Sequence, residues 1–102
     1  MVGYTLIILF FAGAFFANSI PHYIIGVSGR KFPTPFAHPS GKGLSSPIVN
    51  MLWGFLNFIT AYILFILSEP IKLGFNFDIL AILVGAFVLS YISAKNFGKL
   101  NL

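Results

Sequence analysis

Few side chains in this 102-residue sequence can do chemistry. His22 and His38 are its only imidazoles, Glu69 and Asp78 its only carboxylates, and it has no cysteine. General acid–base catalysis works best with paired titratable groups, and a catalytic zinc site takes three protein ligands. Fifteen residues separate His22 from His38, and both acids fall in another part of the chain. No nucleophile–base–orienter set can be assembled, so no catalytic residue, metal, haem or other cofactor is expected. The lack of cysteine also removes disulfides and thiolate chemistry. What remains is a group of amides and hydroxyls around one histidine: Asn18, His22, Asn50, Asn57 and Ser90, with Trp53 beside them. The stretch FFANSIPHYIIG, Phe15 to Gly26, concentrates the polar residues within an apolar run.

The elements that must carry these groups follow from composition. The chain is 58% hydrophobic and 8% charged, against about 25% charged in an ordinary soluble domain. A soluble fold of this size leaves too much surface exposed to hide so much apolar material. Lipid resolves the conflict, and a helix spans it by satisfying its own backbone hydrogen bonds. The fold class is an all-α integral membrane protein with three transmembrane helices. Helix 1 is expected over about 2–27, a loop over 28–46, helix 2 over about 47–68, a turn over 69–76, helix 3 over about 76–94 and a tail over 95–102. Each run meets the roughly 20 residues needed to cross the hydrocarbon core. Neither Lys nor Arg precedes the first run, so it is expected to stay as a span rather than serve as a cleaved signal.

Basic residues set the expected direction. Arg30, Lys31 and Lys42 lie in the long loop, Lys95 and Lys99 in the tail, and Lys72 alone in the short turn. The positive-inside rule makes the loop and tail cytoplasmic and the N-terminus external. The expected location is the cell membrane, the inner membrane if the source is bacterial. The helix ends carry matching signals. Ser46 before Pro47 reads as an N-cap followed by a first-turn proline. Asn76 and Asp78 suit the positive end of helix 3, and Glu69-Pro70 stops helix 2.

Depth then gathers the polar groups. At 1.5 Å per residue, Asn18 lies about 13 Å from the cytoplasmic end, His22 about 7 Å, Asn50 about 5 Å and Asn57 about 15 Å. Ser90 and Ser93 occupy the same half of helix 3. Asn18 and His22 are i, i+4 neighbours. Ser46, Asn50, Gly54, Asn57 and Ala61 form one stripe of helix 2, with Trp53 at its edge. Ala81, Gly85 and Ala86 give helix 3 a small-residue face. Such amides and hydroxyls commonly bond across helices, and Pro21 frees the Ala17 carbonyl for a nearby Asn or Ser.

The loop SGRKFPTPFAHPSGKGLS is expected to lack regular structure because of Pro33, Pro35 and Pro39. Phe32 and Phe36 are placed to enter the headgroup region or cover the bundle end. Gly41-Lys42-Gly43 fails the P-loop pattern, since Phe36 stands where its first glycine should be. Arg30, Lys31 and Lys42 are expected to contact lipid headgroups or another anion. Nucleic acid is not expected as a partner, because the charges flank apolar segments.

Two roles follow from this pattern. The first is a non-enzymatic assembling unit or accessory subunit, partnered by the lipid bilayer and by copies of itself or a larger membrane complex. The second is a homo-oligomeric transporter or channel for a small polar or anionic solute, lined by Asn18, His22, Asn50 and Asn57. The apolar outer half argues against a permanently open pore. A lipid-modifying enzyme would have to work with His22 and His38 alone.

Overall fold

A computed structural model describes residues 2–102, apart from the side chain of Val2. Three apolar runs, each bounded by a residue that starts or stops a helix, form α1 (Val2–Val27), α2 (Pro47–Leu67) and α3 (Phe77–Phe97). All three are long and apolar enough to cross a membrane. α1, with 26 residues, holds Pro21 inside it. It ends where Gly29, at φ 80°, takes a left-handed turn that side chains resist. Ser46 caps α2, its Oγ accepting from the Val49 N–H at 3.2 Å, with Pro47 in the first turn. Asn76 caps α3 in the same way, accepting from the Ile79 N–H at 3.0 Å. Asp78 follows at the electropositive start of α3, and Lys95 sits in its last turn, where a cation suits the dipole.

α3 continues about a turn beyond Ala94. The reason is Phe97, whose ring packs 4.8 Å from that of Phe32 and 6.3 Å from that of His22. The connection between α1 and α2 also differs from the irregular loop that its prolines imply. It contains a two-residue antiparallel ladder of β1 (Phe32–Pro33) and β2 (Leu44–Ser45), with Phe32 opposite Ser45. Proline is tolerated there because so short a ladder has free edges and asks no N–H of it.

α1 is the central helix. α2 runs antiparallel to it and α3 parallel, and both pack on α1 while making little contact with each other. Glycine permits both crossings. A Cβ on Gly54 would strike the Tyr23 backbone, and one on Gly85 would strike the Phe10 carbonyl. Leu9, Ala12 and Ala61 are the fully buried apolar side chains within the helices. Most large apolar side chains instead face outward, which is the arrangement lipid favours.

Candidate functional site

At the end of the bundle where α1 meets α2 through the loop, six polar side chains are buried: Ser19, His22, Asn50 and Asn57 on the helices, and Thr34 and Ser45 in the loop. α1 and α2 contribute matching rungs because they run antiparallel. Asn18 Nδ2 donates to Asn57 Oδ1 at 3.1 Å. One turn further along α1, His22 Nδ1 lies 2.9 Å from Asn50 Oδ1. Gly54 sits between these rungs on α2, where the lack of a side chain brings the backbones together.

Asn50 is the hub. It is fully buried, and its Nδ2 faces three carbonyls: Phe32 at 2.9 Å, Ser46 at 3.1 Å and Ser45 at 3.2 Å. Only the amide nitrogen can serve three acceptors, so Oδ1 must point at His22. The His22 ring nitrogen facing it is therefore the protonated one. Neutral His22 holds its proton on Nδ1 and keeps a lone pair on Nε2. One amide thus ties α1, both strands of the loop and the start of α2 together. Thr34, almost fully buried, adds a hydroxyl pair with Ser45 across the ladder. Without these bonds the loop would bury unpaired carbonyls, which is costly.

The remaining polar groups are spent locally. Asn57 Nδ2 donates to the Trp53 carbonyl at 2.7 Å. Ser19 Oγ donates to the Phe16 carbonyl at 2.6 Å rather than to that of Ala17. Ser90 is exposed on α3 and donates to the Ala86 carbonyl of its own helix at 2.7 Å, so it stands apart from the cluster. Trp53 stacks edge-on against Phe36 at 5.0 Å and against His22 at 6.5 Å. Its indole Nε1 is buried and finds no protein acceptor. Arg30, Lys31 and Lys42 are exposed on the loop, at the opposite end of the bundle from Glu69 and Asp78.

The structure therefore joins Asn18 to Asn57 and His22 to Asn50, sets Trp53 beside them, and leaves Ser90 out. It adds participants that side-chain reading did not single out: the carbonyls of Phe32, Ser45 and Ser46, the Thr34 hydroxyl and the Phe97 ring. Backbone acceptors carry no residue-type signal. Phe97 lay beyond the apolar run that marks helix 3. Among the described residues, no three His, Asp or Glu side chains come together as a metal site. The cluster supplies hydrogen bonds between elements and one free imidazole lone pair. Comparisons with protein-family models, with curated proteins and with solved structures found no match for this chain.

Proposed function

We propose that this protein is a non-enzymatic membrane subunit that assembles with copies of itself or with a larger membrane complex. Its loop and tail would face the cytoplasm, as the five basic residues at that end favour. What carries the reading is α3. Among the helices it packs chiefly on α1, it touches the loop through Phe97 and Phe32, and Gly85 is its one buried residue. Leu83, Phe87 and Tyr91 point outward, with the Phe87 and Tyr91 rings 6.5 Å apart. A helix held by a single small-residue crossing presents most of its surface for a neighbour. Aromatic side chains suit such an interface because they bury large areas at little entropic cost.

The polar cluster supports this role over solute passage. Its amides are committed to interhelical and loop bonds, and the outer halves of all three helices are apolar. The test is the particle mass after extraction in a mild detergent, read by light scattering and by native mass spectrometry. Oligomers, or stable association with another membrane protein, are expected. A strictly monomeric particle without a partner, across several mild detergents, sinks the assignment.

A further inference from the structure

We propose that the cavity bounded by α1, α2, α3 and the loop binds a neutral, single-ring molecule that donates a hydrogen bond to His22 Nε2, a phenol being the simplest. The cavity measures about 230 Å³ and lies between α2 and α3, which make little contact with each other. His22 lines it from α1, Trp53 from α2, Pro33 and Pro35 from the loop, and Ile92 and Phe97 from α3. No Lys, Arg, Asp or Glu lines it. Burying an ion against such walls is costly, so the occupant is neutral. Its size follows from the volume, since an apolar cavity of about 150 Å³ is enough to take up benzene. A ring with one substituent fits the larger space.

The donor requirement comes from His22. Its side chain is 2% exposed, and Nδ1 is spent on Asn50. Nε2 has a lone pair and no protein donor. Among the described residues, Trp53 Nε1 is the only unpartnered buried side-chain nitrogen or oxygen that is sealed from open space. His22 Nε2 is equally unpartnered and is not sealed, and the cavity is the open space that His22 lines. A buried acceptor left unpaired is costly. A water there would satisfy the lone pair but leave the apolar walls without contacts. A phenol meets both needs: its hydroxyl donates to Nε2, and its ring packs against Phe97, Trp53 and the two prolines. Rings already meet edge-on around His22, at 6.3 Å for Phe97 and 6.5 Å for Trp53, and aromatic surroundings of this kind favour a further ring. Binding here does not depend on assembly of the protein with other subunits.

Trp53 is the single tryptophan of the chain and lines the cavity, so its emission reports on this site. Protein in a neutral detergent is titrated with phenol and with anisole, whose methyl ether keeps the ring and removes the donor. Excitation is set beyond the absorption of both. Phenol should give a saturable change and bind about tenfold more tightly than anisole, the loss expected when a buried acceptor stays unpaired. In protein carrying isotope-labelled histidine, phenol should move the nuclear magnetic resonance of His22 Nε2 and leave those of His38 in place. Ser93 also lines the cavity, from α3. Ser93→Phe fills that space without touching the contact between His22 and Asn50, so it should keep its helix content and lose the response. His22→Phe should lower the affinity for phenol to that for anisole. If His22→Phe does not fold, Ser93→Phe and the histidine resonance decide. No saturable response to phenol, equal affinity for phenol and anisole, or a phenol response undiminished in Ser93→Phe overturns the proposal. So does saturable binding that leaves the His22 Nε2 resonance unmoved.

Discussion

Against α2, α1 presents Asn18, His22 and the close approach at Gly54. Against α3 it presents Gly13, where a side chain would meet the Ile82 carbonyl, and the Phe10 backbone opposite Gly85. The two contacts use small residues alike but differ in what else holds them. In lipid, burying one apolar side chain against another gives no hydrophobic gain, so packing and hydrogen bonds must supply the attraction. The α1–α2 contact has both. It also has register, since Asn18 and His22 find their partners at one sliding position only. The α1–α3 contact has packing at its glycines and little else until Phe97 meets Phe32 at the loop end. The difference teaches that α1, α2 and the loop form one tied unit. α3 is the element whose position a neighbour can most easily influence.

Asn50→Leu should do the most damage, because it strikes the tied unit at its hub. It removes the side-chain donor from the carbonyls of Phe32 and Ser45 and the acceptor from the His22 Nδ1–H, while the Ser46 carbonyl keeps the backbone N–H of residue 50. A loss of about 3 kcal/mol is expected, on the scale of several buried unpaired groups. Unfolding in mixed micelles with increasing dodecyl sulfate measures it. Trypsin should also cut faster at Arg30, Lys31 and Lys42 as the loop loosens. A loss under about 0.5 kcal/mol would equate the two contacts, since that is the range of ordinary surface changes.

Gly85→Leu tests the other side. It forces α3 away from the Phe10 carbonyl and should cost about 2 kcal/mol, as overpacking commonly does. The tied unit should survive, so cleavage at Arg30 and Lys31 should stay slow. Next in size is the outer rung. A double-mutant cycle on Asn18→Ala and Asn57→Ala should give a coupling of about 0.6 kcal/mol, typical of interhelical hydrogen bonds in membranes. The pair is part-buried and single, unlike the fourfold contact of Asn50.

Much of this architecture could be read ahead of the structure, and the reason is the length of the apolar runs. Lipid demands long apolar helices, so three runs announce three helices of spanning length. Ser46-Pro47 and Asn76 mark helix starts because capping needs particular side chains at particular positions. The loop was less legible. Its order comes from Asn50 reaching back to carbonyls that any residue type would offer, and from a ladder closing at Phe32 and Ser45. The paired amides share a depth that counting residues can find. Which amide meets which depends on helix rotation, and Gly54 sets that only once the backbones touch.

Ser90 draws the line between depth and contact. It lies in the same half of the bundle as the cluster, and its depth alone grouped it with Asn18 and His22. Its hydroxyl instead returns to the Ala86 carbonyl of its own helix and faces outward. A serine bonded in this way satisfies itself and needs no neighbour. Ser90→Ala should therefore change stability by less than about 0.5 kcal/mol in the same micelle assay. The size of that change separates two pictures of α3. If α3 stands as the structure has it, nothing is lost, because alanine keeps the helix and removes no interhelical bond. If α3 rotates in an assembled state so that Ser90 turns inward, the variant should weaken the oligomer while leaving the isolated chain unaffected. Measuring both states of Ser90→Ala thus asks whether the loosely held face of α1 is where α3 stays or where it starts.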